Sequence, residues 1–430
     1  MPRLTIRGKT LVEGKIRATA VVIDNGKIAD IGTHPGDAGG DVIDLEPNQI
    51  LVPAGVDLAA HYRDWGQAFK ETVEAGSRGA LAGGITTICD MPNTVPNVNT
   101  VETIKRRVAL FHETSHCDFA MNAMQPIDPT DVDGFKDAGA FAIHLFAWDV
   151  TGWNFPDDLD PLPARIKHWT ELGLQGSVHV EDQSLRQTPL EPEGERYALE
   201  PMLERLDPGF KVRLRVSLAD SVEKINQAKG RLPNVQVQGS PHYFFVSQEE
   251  ACRKIGVAGV GAPLLGDADN LAKVQKLLHQ GAFDICVSDH FPHRIQDKYH
   301  EQKIRVQLWP KRGFSSIDFA YPLMLERAGL AEGARLFAEN PARVLGIKKG
   351  KIAKGYEADL AVLEEGKWLV CPDEFESKGK ITPLAGEPMA YRVARTFMRG
   401  VEVYNAGKGP GLSSGGGPRT FNKIPIRKVT

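Results

Sequence analysis

PAGVDLAAHYRD, residues 53–64, decides the fold. The run Val56-Asp57-Leu58-Ala59-Ala60-His61 reads as a short buried strand, and it ends in a polar cluster, Tyr62-Arg63-Asp64. A second apolar strand, residues 84–90, runs into Met91-Pro92-Asn93-Thr94, and a helical stretch over 70–82 joins the two. Strands joined through a helix form a parallel unit. In barrels of such units the polar strand tips gather at one mouth, where active sites are built.

Working outward, apolar strands keep alternating with amphipathic stretches. Candidates at 55–61, 84–90, 117–121, 140–146, 176–181, 211–217, 234–239 and 283–289 make eight, the number that closes a (β/α)8 TIM barrel. Before the barrel, residues 4–7, 18–23 and 28–32 alternate apolar with polar, and Asn25-Gly26 is a hairpin signal. Strand patterns return at Ile352–Gly355, 358–363 and 392–404, with Arg399-Gly400 as a turn. The expectation is an α/β fold: a barrel over 53–344, and a small β-sandwich domain built from 1–52 and 345–430. Residues 407–418, rich in Gly, Ser and Pro, read as a loop or tail.

Composition narrows the partners. A net charge of −3 gives no reason to expect nucleic acid or an anionic membrane. No apolar run reaches membrane-spanning length, and the N-terminus lacks a signal-peptide core, so the expected location is cytoplasmic. Five scattered cysteines without a CxxC fit buried thiols in a reducing compartment.

PAGVDLAAHYRD and the later GGITTICDMPNT resemble the opening of dihydroorotases in the amidohydrolase superfamily, PG-x-VD-x-H-x-H-x-R followed by GG-x-T-T-x-x-x-MPNT. HVED at 179–182, SDHFPH at 288–293 and GYEADLAVLE at 355–364 extend the resemblance over roughly residues 1–405. It implies an amidohydrolase barrel, and a reaction interconverting dihydroorotate and N-carbamoyl-aspartate in pyrimidine biosynthesis. It also implies divalent metal, held by two His on strand one, a carboxylated Lys, two further His and an Asp. Such ions lower the pKa of bound water and polarise the amide.

Laid on those six positions, this chain keeps three ligands, His61, His179 and Asp289. Ala59 replaces the first His, His144 the Lys and Arg215 the fourth His. A carbamate bridge needs a Lys amine, and Arg215 brings a permanent cation. The expectation is zinc at no more than one ion per chain, or none. A single site would use His61, His144, His179 and Asp289, with Asp289 as the proton-handling base. The bland reading of the same residues is a hydrogen-bonded polar core, with Arg215 paired to Asp289.

The resemblance further implies that Arg63, Asn93 and His293 hold a substrate carboxylate. Locally, Arg63 also suits an ion pair and Asn93 a turn. Gly261 stands where the family has an Asn that contacts the ring. His242 reads as structural, and His34, His112, His116, His168, His279 and His300 as surface or packing residues. Three functions follow from the resemblance: an active dihydroorotase, a diverged amidohydrolase acting on another cyclic amide, or a silent homologue that scaffolds aspartate transcarbamoylase. A homo-oligomer is expected in each case.

Overall fold

The computed structural model describes residues 3–32, 40–126, 132–146, 162–182, 185, 191–299, 312–407, 420–421 and 425–430. His34, His300 and all but the first residue of the run 407–418 lie outside the described residues. Among the described residues no helix is long and apolar enough to cross a membrane.

Two sheets organise the chain. The first contains β1 (Leu4–Val12), β2 (Lys15–Asp24), β3 (Lys27–Gly32), β4 (Asp41–Asp44) and β5 (Gln49–Pro53) from the N-terminal part. It is completed by β14 (Leu360–Leu369), β15 (Pro388–Met398), β16 (Val401–Asn405) and β17 (Thr420–Phe421). The strands run in the order β17-β16-β15-β14-β5-β1-β2-β3, with β4 beside β1. The join between the two ends is antiparallel, Leu51 facing Val362. The sandwich is thus one continuous sheet whose halves share an apolar cluster, including Ile6, Val21, Leu51, Leu360 and Phe397. Asn25-Gly26 and Arg399-Gly400 all have positive φ, the left-handed pair that tight hairpins require.

The second sheet is the barrel: β6 (Gly55–Ala60), β7 (Ile85–Asp90), β8 (Asp118–Met124), β9 (Ala142–Phe146), β10 (Gln175–His179), β11 (Val212–Arg215), β12 (Val235–Gly239) and β13 (Ile285–Cys286). Neighbours pair in parallel in that order. β6 and β7 are buried along their whole length, as parallel strands covered on both faces are. His61 N donates to His290 O at 2.8 Å and closes the ring. Beneath it, Asp57 accepts from Ser288 N at 3.1 Å and from Ser288 Oγ, tying the first strand to the last.

The helix Val73–Ala82 begins where Thr72 Oγ1 caps Ala75 N at 3.2 Å. A Cβ on Gly76 would lie 2.4 Å from the Tyr62 ring, so only glycine lets this helix sit on the strand tip. Two expectations are corrected. Ile352–Gly355 forms no strand; buried Ile352 packs into the small-sheet cluster while the next residues turn. The eighth barrel strand pairs only over Ile285–Cys286, not 283–289, because Ser288 turns to Asp57 and Asp289 takes φ 50°.

Candidate active site at the barrel mouth

Residues at the C-terminal tips of the strands converge. His179 ends β10, Arg215 ends β11, and the two are register partners. Arg215 Nη1 donates to Asp289 Oδ1, and Nη2 donates to His179 Nδ1 at 2.7 Å. A guanidinium only donates, so His179 Nδ1 accepts and its proton sits on Nε2. That Nε2 reaches Glu181 Oε2 at 2.7 Å. The other Asp289 oxygen accepts from Tyr243 OH at 2.8 Å. Burial, reinforced by the Asp289 charge, pushes the Tyr243 phenol well up, so it stays a donor. Glu181, His179, Arg215, Asp289 and Tyr243 thus form one buried chain of hydrogen bonds.

His61 and His144 flank this chain. His61 Nδ1 meets Asn93 Oδ1 at 2.5 Å, which leaves Nε2 with the lone pair. His144 Nδ1 lies 3.3 Å from Ser177 Oγ. Burial holds both imidazoles well below the ordinary histidine range, and the Arg215 charge adds to this. Ala59 is buried in an apolar cluster with Leu58, Cys89 and Met91, and offers no ligand atom.

Zinc does not fit this arrangement. Arg215 already occupies Asp289 Oδ1 and His179 Nδ1, the lone pairs an ion would need. Among the described residues, His61, His144, His179 and Asp289 bring no three ligand atoms within 4.8 Å of one another. The group that does is Asp118, Glu357 and Asp359. It lies at the opposite end of the barrel, where Asp118 begins β8. Lys349 Nζ neutralises it, 2.6 Å from Asp118 and 2.7 Å from Asp359, and Arg399 adds a bond at 2.5 Å to Asp118.

The carboxylate trio is only partly gathered. Arg63, Asp64 and Trp65 all carry positive φ, a run that L residues avoid. Asp64 holds it in place by accepting from Val73 N at 2.7 Å. The Arg63 guanidinium is buried, with Nη1 donating to Asn93 O at 3.2 Å and to Asn93 Oδ1 at 3.4 Å. Burial pulls its pKa down to about 9, still protonated at neutral pH. His293 stands apart from this pair. Its Nε2 donates to Arg312 O at 3.2 Å, and its Nδ1 lies 3.3 Å from Lys70 Nζ. The Phe291 ring separates them, 4.0 Å from the Arg63 guanidinium carbon and 5.1 Å from the His293 ring. His290, by contrast, is structural: Nδ1 accepts from Ser316 N at 3.1 Å, and Nε2 faces Glu71 at 3.2 Å. His242 is structural too, its ring tilted against that of Phe314 with centroids 4.9 Å apart. A cavity of about 790 Å³ opens beside β10 and β11 near Glu181, Glu195 and Ser217, but Arg63, Arg215 and Asp289 do not line it.

Comparison with known proteins agrees with this architecture. A family model described as Dihydro-orotase-like matches residues 48–152, and one described as Amidohydrolase family matches 242–403. A dihydroorotase of Syntrophus aciditrophicus is 30% identical over 414 residues, covering 89% of this chain and 94% of the relative. The chain belongs to the dihydroorotase family. Another dihydroorotase, from Thermococcus kodakarensis, is 29% identical over 94% of this chain and 95% of its own. Among solved structures, L-hydantoinase (dihydropyrimidinase) from Arthrobacter aurescens superposes with a TM-score of 0.85 at 24% identity, covering 94% and 96% of the two chains. That likeness speaks for the fold: a parallel barrel beside a separate sheet. Within this dihydroorotase fold, Tyr243 and Phe291 are site residues that motif reading passed over. Phe291 was signalled by HFPH, where the resembled run has Ala.

Proposed function

We propose that this dihydroorotase-family chain has exchanged the metal centre for an internal cation and does not hydrolyse cyclic amides by the metal route. The observation that carries the reading is the Arg215 guanidinium, hydrogen-bonded at once to Asp289 and His179. A metal ion makes hydroxide available near neutral pH because it lowers the pKa of its bound water. A guanidinium supplies charge but no such site, and it is always protonated. The retained role is that of a structural partner in pyrimidine biosynthesis. Aspartate transcarbamoylase is the partner to test first.

The test uses the full chain. Elemental analysis should find less than one zinc per chain. Ring opening of dihydroorotate and cyclisation of N-carbamoyl-aspartate should not exceed those of Asp289→Ala. Co-elution with aspartate transcarbamoylase in size-exclusion chromatography would support the partner role. Stoichiometric metal, with turnover that Asp289→Ala abolishes, would overturn the reading in favour of an active dihydroorotase. The same outcome on a hydantoin or dihydropyrimidine would favour the diverged amidohydrolase.

A further inference from the structure

We propose that Phe291 is the specificity-determining residue of the barrel mouth, an aromatic plug that keeps small carboxylates off the Arg63 guanidinium. The ring centroid lies 4.0 Å from the Arg63 guanidinium carbon, 4.0 Å from the His61 ring centroid and 5.1 Å from that of His293. These are contact distances, so the ring fills the space the three polar groups enclose. A ligand touching Arg63 and His293 together must displace it.

Phe291 does not serve the core. Among the described residues it belongs to none of the three apolar clusters, and its ring and cation–π contacts are with His61, His293 and Arg63. The opposite wall is cut to receive it. A Cβ on Gly313, where φ is +127°, would lie 2.1 Å from the ring, and Phe291 N donates to Phe314 O at 2.7 Å. The ring therefore has one built seat.

Beneath that seat Arg63 keeps unused capacity. Nη1 serves Asn93, but Nε and Nη2 are buried with no hydrogen-bond partner among the described residues. A buried donor without a protein partner calls for one from elsewhere, a water or an anion. The ring face compensates the charge through a cation–π contact. It leaves the in-plane donors available to an anion once the ring is gone.

The inference concerns binding, so it stands or falls apart from the question of hydrolysis. Calorimetry with dihydroorotate and with N-carbamoyl-L-aspartate tests it. Phe291→Ala should tighten binding by roughly tenfold or more, the scale of a charge-assisted hydrogen bond. Adding Arg63→Ala should remove the gain. In the otherwise native chain, Arg63→Ala should leave the affinity unchanged, because the ring already excludes the ligand. Should the alanine variant unfold, Phe291→Leu removes the ring face with less loss of volume and should show a smaller gain. Equal affinity of native, Phe291→Ala and Phe291→Leu chains overturns the proposal. So does a gain that survives Arg63→Ala, or a clear loss on Arg63→Ala alone.

Discussion

Arg215 and Asp289 stand 74 residues apart in sequence, one ending the sixth barrel strand and the other just past the eighth, and share a buried hydrogen bond at the barrel mouth. Removing one partner of such a pair strands the other charge. Arg215→Met is therefore expected to lower unfolding free energy by roughly 3–5 kcal/mol in urea titration. Arg215→Met with Asp289→Leu should recover a large part of that loss. A double variant as unstable as the single one would show that the two residues are not coupled.

The pair also predicts a response to repair. Arg215→His alone uncovers Asp289, yet Ala59 and His144 still leave the ligand set short. Ala59→His, His144→Lys and Arg215→His together restore the donor types that the family resemblance implies. Zinc retained after dialysis, read by elemental analysis, should rise only in the triple variant. Equal zinc in native and triple chains would refute the account.

Glu195 supplies a pH test. It accepts from Ser217 N and Ser217 Oγ at 2.7 Å each and from Leu218 N at 3.0 Å, but burial dominates and raises its pKa from 4.5 to about 7. The folded protein then holds a proton that the unfolded chain releases. This stabilisation is complete below 4.5 and is lost as the pH rises through about 7. It amounts to roughly 3 kcal/mol. Asp57, raised by burial to about 6, has the same sign. Glu195→Gln should flatten, without abolishing, the fall in stability between pH 4.5 and 7 in urea titrations; an unchanged slope would exclude Glu195 as its source.

Lys349 is the counterion of the barrel floor. Burial opposes its charge, but Asp359 and Asp118 outweigh this and raise its pKa. Lys349→Met leaves Asp118 and Asp359 facing each other with Arg399 alone. The expected cost is roughly 3–5 kcal/mol in chemical denaturation. A change below about 0.5 kcal/mol, the range of a surface substitution, would show that Arg399 suffices.

The barrel was legible because fully buried parallel strands are apolar throughout and end in polar tips, as Val56–Asp64 does. The return of the C-terminal strands to the N-terminal sheet was legible from alternation at 358–363 and from the turn at Arg399-Gly400. Ile352–Gly355 misled because one buried residue, Ile352, gives a strand-like signal in a turn. Arg215 and Asp289 could be paired from sequence because the family resemblance puts both at ligand positions of one mouth, and their charges are opposite. Phe291 was not legible in this way. Its effect depends on where Gly313 lets the ring lie, and that is a relation between distant backbones. Tyr243 reaches Asp289 from a short helix after β12, which no local spacing announces.

The pairing of Leu51 with Val362 sets the order in which the molecule can be finished. β5 emerges early in synthesis, yet its partner β14 follows only after the whole barrel has been made. Until then a buried, apolar strand has an open edge, the kind that recruits other chains. A nascent or truncated chain ending inside the barrel is therefore aggregation-prone whatever the barrel's own stability, and expression should depend on chaperones that cover that edge.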